Sequence, residues 1–333
     1  MSKLLDKNEH GVSQLIGTKN NWALDLWREG CNNNWHPDSI SLATDKKQWE
    51  ESGFISDEEK LLVKRVLGLF SCGESLVSNS IETAEYKYIT CGACRQYMMR
   101  KAFEESLHNW TVALCCETFQ LKQEEVAEAY INIKSIKNIE KFLSKSFAGF
   151  DKNFDIDNIN DKQRFMKNMF IIYDFLEGSA FFSAFALIMG LSKNGKLPGL
   201  GDNIFYTIRD ETVHQRFGET FMIQSITEYP EIWTDKFKLE LIELMKEGLE
   251  LAKDFALEVL PKGMVGISSS MLIQYVEFLA NARLSALGLG TPFTSMKNPF
   301  PWLSQSQDVA GMTAFFERRE KSYQQSSALD DDF

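Results

Sequence analysis

Apolar residues recur every three or four positions along most of this chain, which is the period of amphipathic helices. The seven prolines leave positions 38–197 free of the strongest helix breaker, so long helices are permitted there. Residues that favour helix starts occur at Ser56, Asn160, Asp202 and Thr234. The combined pattern predicts long helices at 57–85, 95–130, 161–191, 202–226, 235–259 and 266–287, with a shorter helix in the polar connector 135–160.

A chain of 333 residues with 44% hydrophobic content can fill a substantial core. We therefore expect an all-α protein with one helical domain at residues 1–305. Few apolar residues follow that domain, and the sequence ends in three aspartates and Phe333. Residues 306–333 are expected to form a mobile tail, because such a segment cannot hold itself to a core.

The formal net charge of −11 and the pI near 5.1 argue against a nucleic-acid partner, because phosphates would be repelled. Residues 1–19 lack the apolar stretch that a secretory signal needs. The longest nearly apolar run, 181–191, has about half the length that crosses a bilayer. These features predict a cytoplasmic protein without a membrane-spanning segment.

The six cysteines suggest a reducing compartment, where thiols stay free. Cys91 and Cys94 have C-x-x-C spacing, but no second such pair occurs. Packing thiols, structural zinc and redox exchange all remain open for this pair, since a single C-x-x-C is a weak signal.

Four helical stripes that should be apolar throughout each carry a glutamate at an inward position. Two of these stripes also carry a histidine three residues after the glutamate. The residues are Glu74, Glu105 with His108, Glu177, and Glu211 with His214. A single Glu-x-x-His on a surface helix is usually a solvated pair. Here, however, the chain has only four histidines, and two of them occupy this motif on inward faces.

Residues three apart in a helix share a face, so the two side chains of each Glu-x-x-His can bind the same metal ion. Four buried carboxylates would otherwise cost several kcal/mol each in desolvation and repulsion. Two divalent cations would cancel those four charges and leave two neutral imidazoles as nitrogen ligands. One glutamate from each of two helices plus Glu-x-x-His from two others predicts a ferritin-like bundle with a dimetal carboxylate site.

The segment Asp210-Glu211-Thr212-Val213-His214 resembles the D-E-x-x-H signature of the small (beta) subunit of class I ribonucleotide reductase. Glu105-Ser106-Leu107-His108 and Leu176-Glu177-Gly178 follow the same family's order and approximate spacings. The likeness runs from about Trp35 to the C-terminal tail. It implies a homodimer that generates and stores the oxidising equivalent with which the large (alpha) subunit reduces ribonucleotides.

The resemblance also implies roles for particular residues. One metal site would comprise Glu74, Glu105 and His108, and the other Glu177, Glu211 and His214, with some glutamates bridging. Phe181 and Phe185 match the wall of the family's oxygen pocket, and core packing is the alternative interpretation. Trp35 and Asp210 match a radical-transfer pair linked to His108. Tyr323 matches the tail tyrosine at the subunit interface, and the acidic tail matches the segment that docks on the large subunit.

One position departs from the usual family pattern. Val112 stands where a tyrosine stores the radical, and an aliphatic side chain cannot be oxidised there. The departure resembles the class Ic subgroup, typified by the chlamydial enzyme, in which a manganese/iron centre holds the oxidising equivalent. Glu74, where many relatives have aspartate, and Tyr206, which matches an activation-relay tyrosine, agree with that subgroup. Tyr206 could instead be an ordinary core tyrosine.

Three alternatives stay open at this point. A dimetal ligand-binding oxidase would need a Val–Tyr crosslink at Leu76 and Ile172, which cannot form that bond. Non-enzymatic metal storage and an inactive paralogue are the others. The sequence does not distinguish Mn/Fe from Fe/Fe or Mn/Mn, because Glu and His ligands suit both metals. It also leaves open whether oxygen or a reduced oxygen species activates the centre, and whether the substrates are di- or triphosphates.

Overall fold

The protein is described here by a computed structural model that covers residues 3–5, 13–147, 150 and 153–304. Helices account for the regular structure of this part of the chain, in which the only β-type pairings are two isolated bridges. The helices are α1 (Asn21–Asn32), α2 (Ala43–Glu50), α3 (Asp57–Ser80), α4 (Tyr86–Tyr88), α5 (Gly92–Thr118), α6 (Gln123–Asn132), α7 (Lys134–Phe147), α8 (Ile159–Phe170), α9 (Phe181–Lys193), α10 (Pro198–Glu228), α11 (Asp235–Val259) and α12 (Ser269–Ala286). The all-α prediction is confirmed.

Two π-helical segments join helices without interrupting the chain's helical path. Ile81–Glu85 links α3 to α4, and Ile171–Ala180 links α8 to α9. Short 3₁₀ turns lie at Pro37–Ser39 and Pro230–Ile232. π-helical turns are rare and occur frequently at functional sites. The second segment is relevant to function because one of the predicted site glutamates lies in it.

Local side-chain chemistry explains most helix starts. Ser56 and Glu59 form the predicted capping box before α3, with bonds of 2.9 and 3.2 Å. Thr234 caps α11 by accepting from a backbone N–H in its first turn. Two predictions were wrong. Asn158, not Asn160, caps α8, and α10 begins at Pro198 rather than near Asp202, because proline is preorganised for the first helical position.

The long helix predicted at 95–130 is in fact two helices. α5 ends at Thr118, and α6 starts at Gln123. Between them Gln120 adopts a left-handed backbone conformation with φ 53°, which ends the α-helical path. The shorter helix predicted within 135–160 is present as α7.

The core lies where α3, α5, α10 and the continuous run from α8 to α9 pack together. The run Ile159–Lys193 is long and apolar enough to cross a membrane by length and composition, but 89% of its most apolar stretch is buried inside the protein. α10 approaches this run closely at Gly218, where a Cβ atom would lie 2.1 Å from Cβ of Tyr173. The run is therefore the central helix of a folded core, around which the inward glutamates gather.

Candidate metal centre

The side chains predicted as metal ligands come from four helical elements and meet in the core. α3 supplies Glu74, α5 supplies Glu105 and His108, the second π-helical segment supplies Glu177, and α10 supplies Glu211 and His214. None of the six is more than 2% exposed. They form two groups in which possible ligand atoms all lie within 4.8 Å of one another: Glu74, Glu105, His108 and Glu211, and Glu105, Glu177 and His214.

Glu105 and Glu211 each face both histidines. Glu105 Oε2 lies 3.6 Å from His108 Nδ1, and its Oε1 lies 3.3 Å from His214 Nδ1. Glu211 Oε1 lies 3.1 Å from His108 Nδ1, and its Oε2 lies 3.2 Å from His214 Nδ1. The two imidazole centroids are 5.9 Å apart. These two carboxylates can therefore span a pair of ions, one oxygen to each.

Glu74 and Glu177 lie at opposite ends of this arrangement. Glu74 Oε2 is 3.5 Å from His108 Nδ1, and Glu177 Oε2 is 4.0 Å from His214 Nδ1. Each of these glutamates thus faces one histidine only. The geometry suits one terminal carboxylate and one imidazole at each of two positions.

Many of the inward atoms have no hydrogen-bond partner. They are Glu74 Oε2, Glu105 Oε2, His108 Nδ1, Glu177 Oε2 and Glu211 Oε1. A buried polar atom left unpaired costs about 1–3 kcal/mol, and more if it is charged. Oxygen and imidazole donors suit Mn²⁺ and Fe²⁺ alike. The unpaired donor set therefore fits a dinuclear metal centre.

The protonation equilibria show how strongly this cluster needs positive charge. Burial raises the pKa values of Glu74 and Glu177 well above the usual carboxyl range. Burial alone would lower the pKa values of His108 and His214, but the adjacent carboxylates outweigh it and raise them. In the absence of bound cations, the cluster would hold protons in their place. Metal binding would release those protons.

A carboxylate holds the outer nitrogen of each histidine. Asp210 Oδ2 lies 3.4 Å from His108 Nε2, and Glu104 Oε2 lies 2.9 Å from His214 Nε2. Each of these carboxylates belongs to the residue immediately before a glutamate that faces both histidines. Such partners fix the orientation and tautomer of a ligating histidine. Glu104 was not among the predicted site residues, although Glu104-Glu105-x-x-His108 has an acidic residue before its Glu-x-x-His, as does Asp210-Glu211-x-x-His214 in α10.

Lys101 is a second residue that sequence reasoning missed. It is fully buried, and its Nζ lies 2.7 Å from Glu177 Oε1 and 3.2 Å from Glu105 Oε1. Burial alone would raise the pKa of Glu105, but Lys101 and the two histidines outweigh it and hold this pKa well below the usual range. The ammonium group also lies 4.5 Å from the Tyr173 ring centroid. The sequence-based charge count, four carboxylates against two dications, therefore left out the positive charge of Lys101.

A hydrogen-bonded path leads from the cluster towards the surface. Trp35 Nε1 donates to Asp210 Oδ2 at 2.7 Å, and the Trp35 and His108 ring centroids are 6.5 Å apart. Trp35 also stacks on Tyr206, with centroids 5.4 Å apart and an interplanar angle of 17°. Four residues of the predicted radical-transfer and activation groups are thus neighbours. Tyr323 lies outside the described residues.

The remaining predicted site positions lie beside the cluster. Val112 is buried on α5, one turn after His108. Phe181 and Phe185 are fully buried and pack against Phe70, with ring centroids 5.5 and 5.1 Å from it. These contacts show the packing role of both phenylalanines. Their role as an oxygen-pocket wall stays a prediction.

Comparisons with known proteins agree with this arrangement. The family described as "Ribonucleotide reductase, small chain" matches residues 13–299. The ribonucleoside-diphosphate reductase subunit beta of Chlamydia pneumoniae is 36% identical over 327 residues, covering 98% of this chain and 94% of its own length. The corresponding subunit of Halalkalibacterium halodurans is 28% identical over 313 residues, covering 92% of this chain and 87% of its own.

Solved structures show the same architecture. The ribonucleotide reductase R2 subunit from Clostridium botulinum superposes with a TM-score of 0.83 at 22% identity, covering 92% of this chain and 94% of its own. A dimanganese(II)-NrdF from Streptococcus sanguinis superposes with a TM-score of 0.74 at 18% identity, covering 89% of this chain and 99% of its own. At these identities the likeness concerns the fold. It confirms the predicted ferritin-like helical bundle.

Proposed function

Because this chain belongs to the ribonucleotide reductase small-chain family, we propose that it holds its oxidising equivalent on a dinuclear manganese/iron centre rather than on a tyrosine. The chain is the radical-generating beta subunit of a ribonucleoside-diphosphate reductase. Small subunits of this family work with a large subunit and form dimers. The 36% identity to a reductase beta subunit over 98% of this chain favours this activity over metal storage and the ligand-binding oxidase. The observation that carries the proposal is Val112, a buried valine one turn after His108. Storage of a tyrosyl radical would require an oxidisable side chain at this position.

The proposed ligands follow from the unpaired atoms of the cluster. Glu74 and His108 would serve one ion, Glu177 and His214 the other, and Glu105 and Glu211 would bridge them. By family resemblance, manganese would occupy the position next to Glu74. When bound, the two ions supply the one-electron oxidant that starts nucleotide reduction in the large subunit. Fe/Fe and Mn/Mn centres are the alternatives that metal loading distinguishes.

Trp35 and Asp210 would control the proton that accompanies electron transfer. The indole N–H of Trp35 donates to Asp210 across 2.7 Å. When an indole loses an electron, its N–H becomes far more acidic, and Asp210 lies where it can accept that proton. Trp35 is only 7% exposed, so water competes little for the bond. We propose that this pair carries the oxidising equivalent outward during each turnover.

Tyr206 is proposed to act during activation, when an electron must be delivered from the surface to the metal cluster. Its ring lies parallel to Trp35, and Arg209 lies over it with the guanidinium carbon 4.8 Å from the ring centroid. Tyr206 is partly exposed, whereas Trp35 is buried. The stacked pair would therefore connect the surface to the cluster for delivery of an electron. Molecular oxygen or a reduced oxygen species is the proposed activating oxidant.

The tail is proposed to complete the path in the assembled enzyme. Residues 1–305 would form the metal-holding domain, and residues 306–333 would dock on the large subunit through their acidic end. Tyr323 would pass the oxidising equivalent across the subunit interface. The proposed site of action is the cytoplasm. The docking and transfer roles of the tail rest on family resemblance, since residues 305–333 lie outside the described part of the chain.

Defined metal loading tests the central proposal. The full chain is loaded with manganese(II), with iron(II) or with both, exposed to oxygen, and examined by electron paramagnetic resonance and by reductase assay with its large subunit. The mixed-metal form should give the highest activity without a tyrosyl radical signal. Full activity with iron alone, or a long-lived tyrosyl radical, would overturn the proposal.

Two variants separate the metal centre from the transfer path. Trp35→Phe and a chain truncated after residue 305 should both reach the same final amplitude of the metal-centre signal as the wild type. Both should lose reductase activity, and only the truncated chain should lose affinity for the large subunit. Retained activity in Trp35→Phe would exclude Trp35 from the path, and retained affinity in the truncated chain would exclude the tail as the docking segment.

A further inference from the structure

A guanidinium group lies behind one of the two histidines of the cluster. Arg100 Nε donates to Glu104 Oε1 across 2.8 Å, and the other oxygen of the same carboxylate, Oε2, lies 2.9 Å from His214 Nε2. Arg100 and Glu104 lie four residues apart on α5, so the same face of one helix supplies both side chains. The three side chains form a continuous hydrogen-bonded series that ends at a proposed metal ligand.

Burial and three contacts hold the guanidinium group in place. The side chain of Arg100 is 9% exposed, and that of Glu104 is fully buried. Besides its bond to Glu104, Arg100 donates from Nη1 to Asn34 Oδ1 at 3.0 Å, and its guanidinium carbon lies 5.0 Å from the centroid of the Phe103 ring. Charge-assisted hydrogen bonds are stronger than neutral ones. One oxygen of Glu104 is therefore committed to Arg100, and the other is left for the imidazole.

Helix α1 closes over this ion pair at Gly30. A Cβ atom on Gly30 would lie 2.8 Å from Glu104 Oε1 and 3.0 Å from Arg100 Cγ. Only glycine lets a helix backbone approach so closely. The backbone of α1 is thus packed directly against the ion pair, and a methyl group at this position would displace Glu104, Arg100 or both.

The outer nitrogen of His108 also faces a carboxylate, but the group behind that carboxylate is the neutral indole of Trp35. In the proposed function this indole releases its proton when it is oxidised, so its hydrogen bond takes part in electron transfer. A guanidinium group keeps its protons at every pH at which proteins fold, so it can orient a carboxylate but not exchange a proton with it. The contact made by Arg100 is therefore permanent.

We propose that Arg100 is a positioning residue for one of the two metal ions, because it fixes Glu104 and, through Glu104, the imidazole of His214. This rests on the proposed function only in taking the cluster as a dinuclear metal centre. The hydrogen bonds and ion pairs described for Glu104 reach Arg100 and His214 but not His108. Loss of Arg100 should therefore weaken binding of the ion at His214, and the ion at His108 should be retained.

The direction of the effect separates positioning from electrostatics. Removal of the guanidinium group would leave the charge of Glu104 uncompensated near the cluster. Added negative charge by itself strengthens the binding of a dication, so a purely electrostatic role of Arg100 predicts tighter metal binding in its absence. Loss of a group that orients a metal-binding histidine instead lowers metal affinity by about 10–100-fold. A positioning role predicts this loss for the ion at His214 alone.

Anaerobic metal binding to the full-length chain, without its large subunit, tests the proposal. Isothermal titration calorimetry should show two manganese(II) ions per chain for the wild type. Arg100→Leu should bind the first ion with unchanged affinity and the second about 10–100-fold more weakly. In crystals of this variant with one equivalent of metal, anomalous scattering at the manganese edge should locate the ion at His108. Wild-type affinity for both ions, tighter binding, or equal weakening of both ions would overturn the proposal.

Two variants on α5 show whether the effect is specific. Arg95→Leu is the matched control, because Arg95 lies on the same helix but donates to the backbone oxygens of Ile89 and Tyr86. It should bind both ions as the wild type does. Arg100→Lys should regain part of the lost affinity, because an ammonium group can still donate to Glu104. Loss of the second ion in Arg95→Leu, or equal affinities in Arg100→Lys and Arg100→Leu, would contradict the positioning role.

Gly30→Ala tests the same contact without changing Arg100. The added methyl group would press on Glu104 Oε1, so the second ion should again bind more weakly while the first is unaffected. This variant decides the question if Arg100→Leu does not fold, and wild-type affinity for both ions would then overturn the proposal. These measurements involve neither oxygen nor reductase activity, so a failure of the manganese/iron assignment and a failure of the positioning role are recorded by different experiments.

Discussion

Replacing Lys101 with methionine tests how the protein balances the charge of its buried glutamates. Methionine retains an unbranched chain of similar length but removes the ammonium group that lies 2.7 Å from Glu177 Oε1. Removing one partner of a buried ion pair costs about 3–5 kcal/mol. At roughly 2–4 °C per kcal/mol for a large domain, the metal-free variant should melt about 6–20 °C below the metal-free wild type.

The manganese(II)-loaded variant should lose less stability than the metal-free variant. Bound dications would neutralise the same carboxylates that Lys101 neutralises, so the missing ammonium would be partly replaced. By thermodynamic linkage, the difference between the two stability losses equals the gain in metal-binding free energy. For every ~1.4 kcal/mol by which the metal-free stability loss exceeds the manganese(II)-loaded loss, the variant should bind manganese(II) about tenfold more tightly than the wild type. Differential scanning fluorimetry and isothermal titration calorimetry measure the two quantities independently.

Lys162→Met is the matched control for this experiment. Lys162 is 7% exposed and lies over the Tyr229 ring at 3.9 Å, with no contact to the glutamate cluster among its described interactions. Its removal should lower the melting temperature equally with and without manganese(II). If Lys101→Met behaved in the same way, with unchanged metal affinity, the idea that Lys101 shares the carboxylates with the metals would be refuted.

The cluster supports further predictions. Glu104→Gln should weaken manganese(II) binding by about 10–100-fold, because the carboxylate orients His214; unchanged affinity in calorimetry would contradict this role. The adjacent carboxylates raise the pKa values of His108 and His214 above the unfolded value of 6.5. Protonation of these histidines therefore stabilises the metal-free folded chain fully at pH values below 6.5, and this stabilisation is lost as the pH rises through the folded pKa values. Metal binding requires neutral imidazoles, so the stabilisation by manganese(II) should grow as the pH rises above 6.5 towards the raised folded values, and a flat profile would refute the linkage. Tyr206→Phe should keep the ring stacked on Trp35 and slow the appearance of the metal-centre signal without lowering its final amplitude; an unchanged rate would exclude the relay.

The sequence predicted the converging residues well because charge in an apolar stripe is costly and therefore conspicuous. Glu74 and Glu177 interrupt runs that a folded core requires to be apolar, and the helical period assigns each to an inward face. Lys101 lies on an inward face as well, but a lysine in a helix is normally interpreted as solvated, because its long side chain can reach water. Only the structure, in which Lys101 is fully buried with its Nζ 2.7 Å from Glu177 Oε1, shows that its ammonium group does not reach water.

Helix boundaries were predicted less well where no breaker marks them. The turn at Gln120 contains neither glycine nor proline, so the end of α5 is set by tertiary packing that local sequence does not encode. At the start of α8, two asparagines lie two positions apart, and either could cap the helix. The π-helical segments gave no signal either, since neither contains a proline that would mark a break in the helix.

The π-helical segment Ile171–Ala180 sets the rotational phase of everything that follows it. Each residue of an α-helix advances the side-chain direction by about 100°, so a wider turn shifts the phase of the next helix relative to the previous one. A one-residue deletion that left the remaining π-helical hydrogen bonds unchanged would rotate Phe181 and the residues after it by roughly a quarter turn relative to Phe170, so the length of this stretch is constrained as well as its residue identities.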